Sequence, residues 1–323
     1  MRIREPLAIK SLKLRNRIVM PPMATSMAEN GAPSEKQILY YAERAKTVGL
    51  IIVEHAYVSS DGIAHASQLS MADDAVIPAY RRLTDAVKAQ GCRIFAQLNH
   101  AGAQARDTGL PCISPSGIPV REGAEIPEIM TEEDIARIRE DFITAARRAR
   151  EAGFDGVEIH SAHGYLLNQF YSPVTNHRTD AYGNTLEGRT RLHTEILAGV
   201  REAMGLEYPV AIRFGACDYL PRGSRKEEIP QAVHWFAKAG ADLIDISGGL
   251  SGFTIQGVTV PGWFSDLSAL AKAGTEAPVL VTGGITKAEE AEELLKKGAA
   301  DLVGVGRALL KDPAWAEKAL GKG

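Results

Sequence analysis

Short runs rich in Val, Ile and Leu recur along the chain, and each run is almost continuously apolar. Strands of this composition are typical of a parallel sheet that is covered on both faces. The pattern therefore predicts eight buried strands, within residues 17–23, 49–54, 93–98, 156–160, 209–214, 242–247, 278–284 and 301–307.

Amphipathic segments that are typical of helices lie between these strands. Ser34 is a candidate N-cap for SEKQILYYAERAKTV, and Thr131 is one for TEEDIARIREDFITAARRAREAG, because a hydroxyl there accepts a bond from the first turn. Gly153 and Gly298 follow two of these segments, where glycine commonly ends a helix. Helix and strand thus alternate as βα modules.

Eight βα modules without a linker-like stretch predict an α/β fold, a single (β/α)8 TIM barrel, with residues 1–323 as one domain. An open doubly wound sheet is the alternative. It is disfavoured because no G-x-G-x-x-G motif follows the first strand.

Composition and charge narrow the class of protein. The chain has 323 residues, with 37 Lys or Arg against 40 Asp or Glu, so a formal net charge of −3 gives no overall attraction to nucleic acid or an anionic membrane. The first twenty residues show no pattern of a signal peptide or membrane span, which predicts a cytoplasmic protein. The three cysteines form no C-x-x-C pair, so no thiolate metal centre is expected.

In a barrel of this type the active site lies at the carboxyl ends of the strands. The residues at those ends are mostly polar or glycine, which predicts a lined pocket. They are Met23, Ala24, Glu54, His55, Gln97, His160, Arg213, Ser247, Gly283, Gly284, Gly306 and Arg307.

The last two strand ends indicate a phosphate site. TGGIT (282–286) and GVGR (304–307) are glycine-rich, and glycine lets backbone N–H groups approach an anion closely. The alternative is that both are simply tight turns. Arg213, on the fifth strand, either places a cation beside an electron-rich ring or forms an ion pair at the barrel mouth.

The stretch VEIHSAHGYL (157–166) contains His160, His163 and Tyr165. A metal site is disfavoured because further ligands and an H-E-x-x-H motif are lacking. Two interpretations remain from the residues alone. The histidines are structural, or their two N–H groups polarise one carbonyl oxygen while the tyrosine supplies a proton, which is chemistry at an electron-poor alkene.

The run EIHSAHGYLLNQFYSPVTNHRTDAYGNTLEGRTR (158–191) closely resembles the signature of the old yellow enzyme family of FMN-dependent ene reductases. PLAIKSLKLRNRIVMPPMA, AQLNHAGAQA, VTGGIT and ADLVGVGRALLKDP resemble other parts of the family pattern in the same order. The resemblance therefore covers nearly the whole chain.

The resemblance implies a tightly but non-covalently bound FMN, NAD(P)H as a transient hydride donor, and an α,β-unsaturated carbonyl compound as substrate. His160 and His163 match the pair that binds the substrate carbonyl oxygen, and Tyr165 matches the tyrosine that protonates the α-carbon. Gln97 and Arg213 match contacts to the flavin ring. The remaining expected cofactor-binding residues are Pro22, Met23, Ala24, His55, His160, Ser247, Gly283, Gly284, Gly306 and Arg307.

The chain departs from the family pattern at two places. Ala24 stands where many members have a Thr or Cys that bonds the flavin and tunes its potential, so Thr25 or a backbone N–H group is the alternative donor. The chain also stops soon after the eighth predicted helix, so no arginine from a C-terminal tail is expected in a neighbour's site. Homo-oligomerisation is left open, and the missing cysteine cluster argues against an iron–sulfur route.

Two other functions stay open. One is a flavin oxidoreductase whose acceptor is not an enone, serving oxidant defence or electron transfer to a partner. The other is an FMN-dependent tRNA-dihydrouridine synthase, which needs a loop cysteine and a basic RNA-binding face, and the net charge disfavours it. Long loops follow the second and third strands, at 55–76 and 99–130, and are expected to cover the pocket.

Overall fold

A computed structural model describes residues 1–321 and gives thirteen strands and ten α-helices. The strands are β1 (Leu7–Ile9), β2 (Leu12–Leu14), β3 (Ile18–Met20), β4 (Leu50–Tyr57), β5 (Leu69–Ser70), β6 (Arg93–Asn99), β7 (Ile113–Ser114), β8 (Glu128–Ile129), β9 (Gly156–Ser161), β10 (Val210–Gly215), β11 (Leu243–Ser247), β12 (Val279–Val281) and β13 (Leu302–Gly304). The helices are α1 (Glu35–Arg44), α2 (Ile77–Lys88), α3 (Glu132–Glu151), α4 (Leu166–Tyr171), α5 (Leu186–Met204), α6 (Ile229–Lys238), α7 (Ser265–Gly274), α8 (Ala288–Lys296), α9 (Arg307–Lys311) and α10 (Trp315–Ala319).

Eight of the strands close into a parallel barrel. Around the ring they run β3, β4, β6, β9, β10, β11, β12 and β13, and β13 pairs with β3 to complete the circle. Helices α1, α2, α3, α5, α6, α7 and α8 connect successive strands. The predicted (β/α)8 barrel is therefore confirmed, and each of the eight predicted strands is present.

The two predicted N-caps hold their helices as the sequence indicated. The Ser34 hydroxyl accepts from the backbone N–H of Gln37 at 3.2 Å. The Thr131 hydroxyl accepts from the backbone N–H of Asp134 at 3.1 Å, and the Asp134 carboxylate accepts from the Thr131 N–H at 2.9 Å, which forms a capping box. Past the end of α3, Gly153 has φ 88°, a value that favours glycine.

The inside of the barrel changes from apolar at the bottom to polar at the top. The bottom layer is one cluster that the β1–β2 hairpin covers from below, and the sequence analysis did not predict this hairpin. The cluster is Ile9, Leu14, Val19, Leu50, Ile52, Phe95, Ala211, Leu243, Leu280 and Leu302. Because parallel strands leave all their carboxyl ends on one side, the polar residues above this layer converge at the mouth.

A bulge in β4 decides which of its side chains reach the mouth. The pairing of β4 with β6 shifts between Val53 and Ala56, where β4 has one residue more than its partner. Strict alternation along β4 would turn Glu54 inward and His55 outward. With the extra residue, Glu54 instead contacts Gln37 of α1 outside the barrel, while His55 lies inside the mouth.

Among residues 1–321, no helix is long and apolar enough to cross a lipid bilayer.

Candidate active site

Four aromatic side chains from two parts of the chain, the end of β4 and residues 160–165, meet over the barrel mouth. His160 lies at the centre, with its ring centroid 5.2 Å from His163, 5.2 Å from Tyr165 and 6.0 Å from His55. The rings of His55 and Tyr165 are also 5.2 Å apart. The structure thus brings together the histidine pair and the tyrosine that the sequence predicted, and it places His55, which was expected to bind the cofactor, beside them.

His160 points inward from β9 and is only 2% exposed. Burial lowers its pKa well below the usual value, and the neighbouring His163 adds to the effect. Its Nδ1 is buried without a partner among the described residues. The ring is therefore neutral near pH 7, and its Nε2, which is neither bonded among the described residues nor fully buried, can bond a molecule at the mouth.

The backbone at His163 and Gly164 is held in a rare conformation. Both residues have positive φ, 59° and 75°, and a non-glycine residue there is strained. Four contacts fix the turn. The Gln104 amide donates to the His163 carbonyl at 3.0 Å, and the His163 N–H donates to the Gly248 carbonyl at 3.3 Å. The Gly164 N–H donates to the Asn168 side chain, and the Gln169 amide donates to the Gly164 carbonyl, each at 2.7 Å. This turn aims the His163 ring into the mouth.

Ser247, at the end of β11, lies 2.7 Å from Nε2 of His163 through its hydroxyl oxygen. Burial lowers the pKa of His163 well below its usual value, with the Arg213 cation as the next cause, so this ring is also neutral near pH 7. A hydroxyl both donates and accepts, so it holds the ring while leaving Nδ1 for another partner.

Tyr165 immediately precedes α4 and lies over His160 and His55. Burial raises the pKa of its phenol, whereas the nearby Arg121 and Arg106 cations act to lower it. The phenol is therefore protonated near pH 7 and available as a proton donor.

Below the aromatic side chains lies a buried polar layer. Gln97 donates to Glu158 at 2.8 Å, and Arg213 contacts Asp245 at 3.4 Å in a geometry that misses a hydrogen bond. Burial raises the pKa of Glu158 well above its usual value, with Asp245 as the second cause, and it raises the pKa of Asp245 to about 6 against the effect of Arg213. Glu158 therefore tends to be neutral, whereas Asp245, with a pKa of about 6, is mostly ionised near pH 7 and faces the Arg213 cation.

The ends of β12 and β13 form a cradle of backbone N–H groups. The N–H groups of Gly283, Gly284, Gly306 and Arg307 have no partner among residues 1–321. Gly283 and Gly284 have φ of 120° and 69°, and a Cβ atom on either would lie within 2.7 Å of the Trp263 ring. Only glycine fits there, and free N–H groups beside it suit an anion such as a phosphate.

The segment after β3 lies beside this cradle. A Cβ atom on Gly306 would be 3.0 Å from the sulfur of Met23, and Ala24 is exposed at the mouth. Thr25, the alternative to a hydroxyl at position 24, donates through both its N–H (2.7 Å) and its hydroxyl (2.6 Å) to Glu54. The Thr25 hydroxyl is therefore already engaged outside the mouth.

Two clefts on the outer surface are separate from this chemistry. They have volumes of about 500 and 610 Å³ and lie between α5 and α6 and between α3 and α5. Their linings are mostly side chains on the outer faces of helices, whereas the unpartnered polar atoms lie at the mouth. The candidate site is therefore located by the unpartnered polar side chains at the mouth, and not by the volume of a surface cleft.

Sequence reasoning missed several residues of the site. Asn99 ends β6 and was detectable from its position, whereas Gln68 and Trp263 lie in loops where no strand end indicates them. Glu158, two residues before His160 on β9, accepts a hydrogen bond from Gln97 in the polar layer below His160.

The fold and the mouth together define a barrel with a site that fits a phosphorylated ring cofactor. The free N–H groups of the cradle can bind a phosphate, and Arg213 and Gln97 can bind the polar edge of a ring. Several buried polar atoms below the mouth also have no hydrogen-bond partner among the described residues. FMN has this combination of a phosphate and a polar ring edge.

Comparisons with known proteins agree with this class. A family model described as the NADH:flavin oxidoreductase / NADH oxidase family matches residues 2–322. A "metal reductase" of Desulforamulus reducens is 39% identical over 321 residues, which are 98% of this chain and 48% of that protein. An "NADPH dehydrogenase" of Bacillus velezensis is 38% identical over 319 residues, which are 97% of this chain and 93% of that protein.

A solved structure of an old yellow enzyme homologue from Zymomonas mobilis matches the fold with a TM-score of 0.88 at 28% identity, covering 100% of this chain and 93% of that one. The chain therefore belongs to the NADH:flavin oxidoreductase family of old yellow enzymes, whose members are flavin oxidoreductases with FMN as cofactor and NAD(P)H as hydride donor. The chain spans about half the length of the Desulforamulus relative.

Proposed function

We propose that this protein is an FMN-dependent ene reductase, which uses NAD(P)H to reduce the C=C bond of α,β-unsaturated carbonyl compounds. The convergence of His160, His163 and Tyr165 over one space supports this proposal most strongly. Two neutral imidazoles beside a protonated phenol are suited to polarise a carbonyl group and protonate a carbon next to it.

Bound FMN supplies the hydride chemistry, since a flavin accepts a hydride from a nicotinamide and passes one on to an electron-poor carbon. Gln97 and Arg213 would hold the polar edge of its ring, and the N–H groups of Gly283, Gly284 and Arg307 would hold its phosphate. The Arg213 cation favours negative charge on the ring, and the raised pKa of the buried Glu158 keeps that carboxyl group from opposing it.

His160 and His163 donate to the carbonyl oxygen of the substrate and so stabilise the negative charge that grows there as hydride reaches the β-carbon. Tyr165 gives its proton to the α-carbon and regains one from solvent. The sum adds two hydrogens across the C=C bond and consumes one NAD(P)H and one proton.

Reduction of 2-cyclohexenone with NADPH in D2O tests this function. We expect cyclohexanone with solvent deuterium on the α-carbon, and we expect Tyr165→Phe to lower turnover by about 10²-fold because the general acid is gone. Mass and NMR spectra of the product provide the readout, and cyclohexanone incubated with the enzyme alone controls for exchange. No reduction, or a Tyr165→Phe variant as fast as the wild type, would contradict the proposal.

A second candidate acceptor is an inorganic oxidant. Two relatives, 39% identical each, are named "metal reductase" and "NADH oxidase". This candidate predicts NAD(P)H consumption with oxygen or a metal ion at a rate that Tyr165→Phe leaves unchanged, since no carbon is protonated.

A further inference from the structure

His55 has a polar atom at the mouth that the proposed mechanism does not use. The side chain is 9% exposed, and its ring lies beside Tyr165 and His160. Its Nδ1 is bonded, whereas its Nε2 has no partner among residues 1–321 and is not among the fully buried unpartnered atoms. Nε2 therefore borders open space at the mouth.

The neighbours of His55 determine which ring nitrogen holds the proton. The backbone N–H of Ala64 donates to the Gln68 side chain at 2.7 Å, so the atom it meets is the amide oxygen. The amide nitrogen of Gln68 must then be the atom 2.7 Å from His55 Nδ1. An amide nitrogen only donates, so Nδ1 accepts and the proton lies on Nε2.

A second amide group, that of Asn99, also favours the tautomer of His55 with the proton on Nε2. Nδ2 of Asn99 lies 3.3 Å from the same Nδ1, and the Gln68 amide also contacts the His55 carbonyl at 3.3 Å. A histidine with a structural role only would be expected to have both ring nitrogens paired in the protein. Here both protein contacts fall on one nitrogen, and the other presents an N–H group to the mouth.

His55 is also uncharged at working pH. Burial lowers its pKa to about 3, and the facing His65 and Arg213 add to this effect. The group is thus a neutral donor and not a general acid near pH 7.

The position of His55 differs from that of the predicted carbonyl-binding pair. The His160 ring has the ring of His163 5.2 Å away and the ring of His55 6.0 Å away. The Tyr165 ring lies 5.2 Å from those of both His160 and His55. A ring molecule beneath Tyr165 that has one oxygen at the His160–His163 pair would place an opposite substituent toward His55.

We infer that His55 is a specificity-determining donor for a second carbonyl group, and that the site favours cyclic ene-1,4-diones over enones with one carbonyl. This inference rests on the proposed ene reductase function. The bulge in β4 places the His55 ring inside the mouth, because strict alternation would turn this side chain outward.

Two matched probes test the inference, 2-cyclohexene-1,4-dione and 2-cyclohexenone, which differ by one carbonyl group. The readout is the ratio of kcat/KM for the dione to kcat/KM for the enone, because the ratio cancels general damage to the site. We expect His55→Ala to lower this ratio about tenfold, equivalent to about 1.4 kcal/mol, the size of one neutral hydrogen bond. His55→Gln keeps an amide donor and should restore at least half of the loss.

His234→Ala serves as a matched control, since His234 is an exposed histidine on the outer helix α6. Bound FMN absorbance and melting temperature show that each variant is folded. If the wild type reduces both probes but His55→Ala leaves the ratio unchanged, or His55→Gln behaves like alanine, the inference is wrong. If the wild type reduces neither probe, the proposed function itself fails.

Nitrogen NMR gives a test that needs no turnover. In spectra of ¹⁵N-histidine-labelled protein, the His55 signals, assigned by their loss in His55→Ala, should show a protonated Nε2 and an unprotonated Nδ1 from pH 6 to 8. A proton on Nδ1 would overturn the assigned donor, whatever the kinetic result.

Discussion

At the scale of single residues, the proposed mechanism depends on two neutral imidazole donors. Burial lowers the pKa of His160 and His163, so both donate without charge near pH 7. We expect either one changed to alanine to lower kcat/KM for an enone by about 10²-fold, as removal of one oxyanion-type donor does. Stopped-flow measurement of flavin reoxidation by the enone checks this.

His163→Asn is the matched control for this prediction. Its amide retains a donor of similar reach, so it should keep far more activity than His163→Ala. FMN absorbance should be the same in both variants. A double alanine variant that reduces enones at the wild-type rate would remove the histidine pair from the mechanism.

At the scale of elements, the turn that links β9 to α4 positions the reacting groups. Gly164 has φ 75°, and a Cβ atom there would lie 2.9 Å from both Gln104 and Val120. We therefore expect Gly164→Ala to displace the His163 ring and lower enone turnover at least tenfold. Gly298→Ala, also at positive φ (68°) but with open space around it, controls for backbone strain alone. Equal losses in the two variants would mean that crowding at the turn does not matter.

The elements also show how far the sequence predicts the structure. Buried parallel strands leave a continuous apolar run, so the strand expected at 156–160 is found at Gly156–Ser161. The hairpin of β1 and β2 escaped prediction because its strands of three residues lack a detectable period.

Site residues at the carboxyl end of a strand, such as His160, were predictable, because the carboxyl ends of all the parallel strands lie together at the mouth. The tautomer of His55 was not predictable, since it depends on Gln68, a loop residue thirteen positions further along. Whether the His55 side chain points into or out of the barrel depends on the bulge in β4, and the alternation of residue types along β4 does not indicate that bulge.

At the scale of the whole molecule, buried histidines link stability to pH. Burial lowers the pKa of His55 and His193 to about 3, and those of His160 and His163 also fall well below the usual value. Histidines of the unfolded chain titrate near pH 6.5, so below that pH the unfolded state binds more protons than the folded state. The stability that these four histidines contribute is therefore fully present above about pH 6.5 and is lost as pH falls toward 3.

His193 tests this linkage away from the mouth, because it is fully buried and bonded to Ser161 at 2.8 Å. Between pH 5.5 and 4.5, each such histidine contributes about 1.4 kcal/mol per pH unit to the slope of the unfolding free energy. We expect His193→Gln to reduce that slope by about this amount in urea unfolding with FMN in fixed excess. His234→Gln is the control, and an unchanged slope in His193→Gln would contradict the linkage.

The central claim is that one site passes hydride from NAD(P)H to an enone, and one anaerobic experiment tests it most directly. The purified yellow protein is reduced with NADPH, mixed with 2-cyclohexenone, and followed by flavin absorbance. Rapid return of oxidised FMN, with one cyclohexanone formed per flavin, is the expected result. A flavin that is reduced but never returns its electrons to the enone would leave the fold and cofactor in place and contradict ene reduction as the function.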